Sequence, residues 1–315
     1  MELIKRNTAE LVTEEEIREL IKAKKNPVVY CGYEASGEVH LGHLATITKL
    51  IDLEKAGFKV KVLFADYHTW LNRKGSWEEI KEKIGMWEKA FKKSGLGKAE
   101  YVLGSSFQKK NEYLDDLLTI SLHTTMKRAI RSMQEIARDI EHATVSQTIY
   151  PLMQIVDMKY LEVDAAEAGL EHRKIHMLAR EVMNKINYRK PFFVHTPVIN
   201  SLLGSGGKMS SSVPSSIISV RDSEEDIKKK INKAYCPEGF IEGNPLLEIM
   251  QLIVFPRVKS IEFKRDTKFG GNISFNSFRE LEKAFKEKKL HPQDLKKGLS
   301  EELIELLEPV RKAFE

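Results

Sequence analysis

The sequence predicts an α/β protein, a doubly wound parallel sheet followed by a smaller, mostly helical C-terminal domain. Over the first two-thirds, short β-branched runs alternate with amphipathic helical stretches, the pattern of βαβ units. Beyond Asp222-Ser223-Glu224-Glu225 the pattern turns helical and strongly charged, with one irregular stretch at 255–275. The length, 315 residues, suits about two domains of roughly 100–200 residues each.

In chain order, Pro27-Val28-Val29-Tyr30-Cys31 reads as a buried strand and 42–56 as a helix. A strand at 59–65 follows, then a helix over 77–94. Ser76 and Glu79, three apart, form a capping box at its start. A short strand at 100–103 precedes a long helical region from 112 to about 138. The whole is Rossmann-like, with a boundary near 215–225. Ligands of such sheets sit beyond the carboxyl ends of the strands, so the chemistry belongs in the residues just after them.

Composition restricts the function less. The chain is 42% hydrophobic and 31% charged, as soluble globular proteins are. No apolar run approaches the ~18 residues of a membrane span, and the opening Met1-Glu2-Leu3-Ile4-Lys5-Arg6 does not read as a signal peptide. The two cysteines, Cys31 and Cys236, form no CxxC pair. That points away from disulfides and structural zinc and toward a reducing cytoplasm. A net charge of +5 is compatible with a polyanionic partner without demanding one.

Two motifs carry chemistry. The first strand runs into a turn ending His40-Leu41-Gly42-His43. A helix N-terminus offers unpaired N–H groups and a positive dipole end, where imidazoles can donate to phosphate oxygens and Gly42 leaves room for a nucleotide. The second is Gly206-Gly207-Lys208-Met209-Ser210-Ser211-Ser212, a Gly/Ser loop around one lysine that can be brought onto ATP phosphates. Each alone has an ordinary reading as a turn or a surface loop. In this order, one after the first strand and one at the end of the α/β region, they resemble the two signatures of class I aminoacyl-tRNA synthetases.

Longer strings narrow the resemblance to the tyrosyl-tRNA synthetases of the archaeal and eukaryotic type, over essentially the whole chain. They are the segments 30–37, 150–157, 172–181 and 234–237, then Lys268-Phe269-Gly270-Gly271 and Leu290-His291-Pro292-Gln293-Asp294. Tyr150, Gln154 and Asp157 stand at i, i+4 and i+7, on one helical face, with Pro151 suited to that helix's first turn. The resemblance places Asp157 and Tyr30 at a substrate phenol hydroxyl, with Gly32 on the same strand end. It places Tyr150, Gln154 and His172 at the substrate ammonium. A site that pairs the hydroxyl rejects the analogue lacking it by about 10⁴–10⁵.

Some positions depart from the family's pattern. His172 stands where glutamine is usual, and Tyr67 where a leucine usually lies beside the ring. Ser106 replaces a common glutamate, and Glu167-Ala168 replaces a small, neutral stretch. A neutral His172 can accept a hydrogen bond, whereas a protonated ring would repel an ammonium.

At the RNA end, the resemblance implies that Arg131, in the basic stretch 124–132, meets the first base pair of the acceptor stem. A neighbouring family arginine is Ile130 here. Phe269 offers a stacking platform for an unstacked anticodon base whose edge His291 and Asp294 can bond. That trio implies tRNA-Tyr, with guanine at its first anticodon position, as partner. The expected organisation is a catalytic domain over 1–220, with a helical insertion at about 112–145, and an anticodon-binding domain over 221–315.

The expected reaction is attack of tyrosine carboxylate on the α-phosphorus of ATP, then transfer to the terminal ribose of tRNA. His40, His43, Lys208, Ser210 and Ser211 would stabilise the phosphorus centre, with Gly42, Lys208 and Met209 at the nucleotide. No carboxylate cluster dedicated to a metal is visible, so Mg²⁺ would arrive with ATP. The family implies a homodimer, with the 112–138 region as candidate interface. The rival readings are a paralogue activating tryptophan or a tyrosine analogue, a non-catalytic RNA-binding relative, and a small nucleotidyltransferase. Tyr30, Asp157 and the tyrosine-type C-terminal domain oppose tryptophan, the intact His40, His43 and Lys208 oppose the second, and the C-terminal trio the third.

Overall fold

The structure, a computed structural model, describes every residue except 137–141, 143 and 205. The last two positions of the helical region expected over 112–138, and part of the insertion drawn to 145, therefore lie outside the described residues.

Six strands form one sheet: β1 (Glu10–Val12), β2 (Val28–Tyr33), β3 (Lys59–Phe64), β4 (Glu100–Leu103), β5 (Ala165–Gly169) and β6 (Phe192–Thr196), ordered β1-β6-β5-β2-β3-β4. Every pairing is parallel except that of β1, which runs antiparallel to β6 with Glu10 opposite His195. The strands expected near 28, 59 and 100 are present. β2 continues two residues past Cys31, to Tyr33. Val29, Tyr30 and Cys31 are all buried, as expected of a strand covered on both faces.

Chain order changes direction at β2, with β3 and β4 to one side and β5 and β6 to the other. The crevice beyond the carboxyl ends of β2 and β5 is thus the topological switch point, where sheets of this kind bind their ligands.

The expected helices form as Leu41–Lys55 and Trp77–Lys93. The capping box is present: Glu79 N–H donates to Ser76 Oγ at 3.3 Å and Ser76 N–H to Glu79 Oε2 at 2.8 Å. The region after β4 is two helices, Asn111–Leu122 and Met126–Met133, because Thr125 accepts from Arg128 N–H and caps a fresh start. The helix bearing Tyr150 runs Val145–Tyr160, capped by Thr144 with Gln147. Pro151 therefore lies in the helix interior, not in its first turn. Having no N–H, it leaves the Gln147 carbonyl without its helical donor.

The chain forms two compact units. One comprises Met1–Ser36, Lys49–Glu88 and Leu96–Pro197; the other comprises Gly37–Thr48, Lys89–Gly95 and Val198–Glu315. The first holds the whole six-stranded sheet. In the second, Leu41 N–H donates to Ile218 and Val220 N–H to Val39, tying the 39–41 turn to 218–220. Its helices include Glu224–Lys233, Phe278–Lys286 and Pro292–Phe314. The irregular 255–275 stretch contains an antiparallel hairpin, β7 (Ile261–Phe263) with β8 (Ile273–Phe275).

Candidate active site

In the first unit, β2 and the Val145–Tyr160 helix bring Tyr30 and Asp157 into one buried cluster. Asp157 is fully buried, and its Oδ1 accepts from Gln108 Nε2 and from the Tyr113 hydroxyl, both at 2.8 Å. Its Oδ2 has no hydrogen-bond partner among the described residues; His68 Nε2 stands 3.6 Å away. Burial pushes the Asp157 carboxyl up to about 7 against the pull of those two hydrogen bonds. Burial also drives the His68 ring down to about 4, so that imidazole is neutral.

Neither His68 nitrogen, nor the Tyr30 hydroxyl, makes a well-formed hydrogen bond among the described residues, although Gln154 lies near enough to the Tyr30 hydroxyl to act on it. Burial, reinforced by the charge of Asp157, holds the Tyr30 hydroxyl protonated. A buried polar atom left unmet costs about 1–3 kcal/mol. Here a carboxylate oxygen, a phenol hydroxyl and an imidazole share that condition, a set able both to accept from and to donate to one ligand hydroxyl.

Tyr150 is buried with its ring edge-on to His68, centroids 4.7 Å apart. Its hydroxyl bonds to Glu34, which follows β2 directly. Burial would raise the Glu34 carboxyl, but Lys74, Asn72 and the Tyr150 hydroxyl outweigh it and hold it below the usual range. Asn72 Nδ2 donates to it at 3.1 Å, and Lys74 pairs with it. Gln154, half-buried, meets His172 Nδ1 at 3.3 Å. A Cβ on Gly32 would find only ordinary contacts, 3.7 Å to the Tyr30 ring and 3.9 Å to Leu63. Nothing among the described residues requires glycine there.

The remaining departures fall as follows. Tyr67 packs edge-on against Trp77, at 4.9 Å between centroids, one helical step round from the pocket residue His68. Ser106 is exposed and bonds the Leu103 carbonyl. Glu167 is buried in β5 and accepts from the Thr196 hydroxyl at 2.9 Å; burial pushes it up to about 7.

In the second unit, Leu41 begins the helix, and the His40 carbonyl accepts from His43 and Leu44 N–H. Gly42 N–H donates to His40 Nδ1 at 3.1 Å and His40 N–H to His43 Nδ1 at 3.2 Å, with ring centroids 3.9 Å apart. With both Nδ1 atoms accepting, the neutral rings carry their protons on Nε2, giving two donors at one helix start. Burial, with help from the charge of Lys208, brings His40 down to about 4. A Cβ on Gly42 would come within 2.8 Å of the His40 ring, so this glycine is also required by the histidine itself.

Lys208 pairs in register with Asn200, and Met209 N–H donates to Ile199. Ser216 Oγ binds the Ser210 carbonyl at 3.2 Å, bracing the turn. Gly37 has φ +69°, and a Cβ there would come within 2.4 Å of Ser211 Oγ. The two motifs thus meet within this unit: Gly37 seats Ser211, and Lys208 acts electrostatically on His40.

Further along, Phe269 is 65% exposed, with Lys268 Nζ 4.9 Å from its ring centroid. Arg265 bonds the Gly271 and Lys289 carbonyls, which ties the Phe269 loop to the approach to His291. His291 caps the Pro292–Phe314 helix, its Nδ1 accepting from Gln293 N–H, and Asp294 follows in the first turn. Arg131 is exposed on the Met126–Met133 helix.

Sequence reasoning missed Glu34, His68, Gln108 and Tyr113 as site residues. Glu34 and His68 do follow β2 and β3, so the rule that ligands sit past strand ends could have found them. Tyr113 carried no local signal.

Residues 22–308 match the family described as tRNA synthetases class I (W and Y), and the chain belongs to that family. Its similarity leans to the tyrosine branch. The tyrosine–tRNA ligase of Methanocaldococcus jannaschii is 50% identical, over 99% of this chain and 98% of that protein. The one from Methanoculleus marisnigri is 50% identical over 98% and 96%. The crystal structure of Archaeoglobus fulgidus tyrosyl-tRNA synthetase complexed with L-tyrosine aligns at a TM-score of 0.96 and 48% identity, covering 100% of this chain and 98% of that one.

Proposed function

We infer that this chain is a tyrosine–tRNA ligase, forming tyrosyl-adenylate from tyrosine and ATP and passing the tyrosyl group to tRNA-Tyr. One observation carries the choice of amino acid. Asp157 Oδ2, the Tyr30 hydroxyl and the His68 ring are buried polar groups with no well-formed hydrogen bond among the described residues, and a phenol hydroxyl would satisfy them. Tryptophan has no hydroxyl to offer them. At the other end, the anionic Glu34, Tyr150 and the Gln154–His172 pair suit an ammonium.

In the first step the tyrosine carboxylate oxygen attacks the α-phosphorus and pyrophosphate leaves. His40 and His43 donate from Nε2 to phosphate oxygens, and Lys208 with Ser210 and Ser211 meets the charge that builds on the leaving group. Gly42 and Met209 lie along the nucleotide. In the second step the terminal ribose hydroxyl of tRNA attacks the acyl carbon and AMP leaves. Orientation and fixed electrostatics supply most of the rate. Mg²⁺ enters with ATP.

The catalytic part spans 1–220 and the anticodon-binding part 221–315. Phe269 stacks on the first anticodon base. His291 reads its edge through Nε2, since Nδ1 is taken by the helix cap, and Asp294 accepts beside it. Arg131 meets the acceptor stem. The protein acts in the cytoplasm as a homodimer. Leu114, Leu118 and Leu122 line one exposed apolar stripe at four-residue spacing on the Asn111–Leu122 helix, Leu122 at 84% exposure, and a second copy would cover it.

The test is charging of tRNA-Tyr transcripts. The parent should load tyrosine, and replacing the first anticodon guanine by cytosine should lower kcat/KM for the tRNA at least about tenfold. Failure to charge tRNA-Tyr would overturn the reading.

A further inference from the structure

The helix Asp66–Leu71 has two faces of different character. His68 and Thr69 are buried, and His68 forms a wall of the pocket around Asp157. The opposite side carries Tyr67 and Trp70, which join Trp77 in an aromatic cluster. Trp70 and Trp77 stack with centroids 5.5 Å apart and planes 29° from parallel, and Tyr67 meets Trp77 edge-on at 4.9 Å. Trp70 is 45% exposed. Lys109 Nζ lies 5.5 Å from the Tyr67 ring centroid, and Arg73 and Lys110 are exposed alongside in sequence.

Tyr67 also packs against the hydrophobic core, but Trp70 remains exposed. The 72–79 turn is already fixed by Asn72 and Lys74 on Glu34 and by the Ser76–Glu79 capping box. An indole left in water on a soluble protein forgoes burial. Through Glu34, the same turn is hydrogen-bonded to the Tyr150 end of the pocket. The Ser146 hydroxyl also donates to the Leu71 carbonyl at 3.1 Å. The cluster is therefore tied by hydrogen bonds to the Tyr150 end of the site, and an unpaired RNA end must reach that site for the second step.

We propose that Tyr67, Trp70 and Trp77 form a stacking platform for the unpaired nucleotides at the 3′ end of the tRNA, with Lys109 and Arg73 on the backbone phosphates. Sequence-tolerant stacking on aromatic rings beside cationic side chains is how proteins hold single strands. This rests on the ligase reading and adds a positioning surface for its second step.

The experiment compares parent, Trp70→Ala, Trp70→Phe and Lys109→Ala in two assays, tyrosine-dependent ATP–pyrophosphate exchange and aminoacylation of tRNA-Tyr. Trp70→Ala should lower kcat/KM for tRNA about tenfold or more while exchange stays within about twofold, and Trp70→Phe should restore most of it. Lys109→Ala should weaken tRNA use and flatten its salt dependence. Tryptophan fluorescence of the parent should be quenched by tRNA-Tyr and much less by a transcript lacking its last three nucleotides. Unchanged aminoacylation in Trp70→Ala, an equal fall in both assays, or equal quenching by the two transcripts would overturn the proposal. Absence of tyrosine-dependent exchange in the parent would overturn the ligase reading itself.

Discussion

Replacing Asp157 by asparagine separates the structural job this carboxylate has from the one proposed for it at the substrate. The Asn carbonyl oxygen can take the place of Oδ1 and accept from Gln108 and Tyr113, so the surrounding network stands. What changes is the Oδ2 position, where a neutral N–H donor replaces the acceptor facing the pocket. A hydrogen bond to a charged group contributes about 1.5–3 kcal/mol, so tyrosine kcat/KM in ATP–pyrophosphate exchange should fall about 10–150-fold at pH 8. Phenylalanine never uses that bond, so the ratio of tyrosine to phenylalanine activity should fall by a similar factor. Stability should move the other way. Burial raises Asp157 from 3.8 to about 7, so the folded state holds the extra proton between those values. The stability that proton contributes is complete below pH 4 and is lost as pH rises through about 7. The variant should therefore melt at least as high as the parent at pH 8. Unchanged tyrosine kinetics in the variant would refute the placement of Asp157 at the phenol.

Three further perturbations test other parts of the account. Tyrosine kcat/KM in the parent should decline as pH drops below about 7, where the Asp157 carboxylate proposed to accept from the phenol is protonated. Glu167 titrates in the same range, so Glu167→Gln should keep that acidic limb and Asp157→Asn should lose it; the opposite pattern would shift the role to Glu167. Lys208→Ala should reduce kcat for exchange about 10²–10³-fold with little change in KM for tyrosine, and a change confined to KM would make the lysine a mere binding contact. Leu118, 63% exposed, should matter only to assembly. Leu118→Glu should sediment as a monomer where the parent sediments as a dimer, and identical profiles would remove this stripe from the interface.

Much of this was legible in the sequence because local chemistry agreed with the fold. The 28–33 and 59–64 strands are apolar or alternating runs rich in valine, and Ser76 with Glu79 announced a helix start that the structure has. β5 gave no such signal. Ala-Ala-Glu-Ala-Gly has little intrinsic strand preference, and it is a strand because β2 and β6 flank it. Pro151 misled for a related reason. Proline usually marks a first turn, but Thr144 and Gln147 cap this helix earlier and packing carries the proline inside. In the site, Tyr150, Gln154 and Asp157 share one helix face and could be grouped from spacing. Gln108, Tyr113 and His68 reach Asp157 from separate segments, a convergence that only tertiary structure supplies. The two histidines of the first motif could be singled out from the sequence as candidates to meet phosphate. Their tautomers could not, since these follow from which backbone N–H each Nδ1 accepts.

The central claim, that the buried polar end of the pocket exists to bind a phenol, is tested most directly by ATP–pyrophosphate exchange run separately with each of the twenty standard amino acids. The account predicts exchange with tyrosine, with phenylalanine slower by about 10⁴–10⁵. Exchange with tryptophan, or with none of the twenty, would contradict it and make His172 and Glu167 determinants of a different substrate.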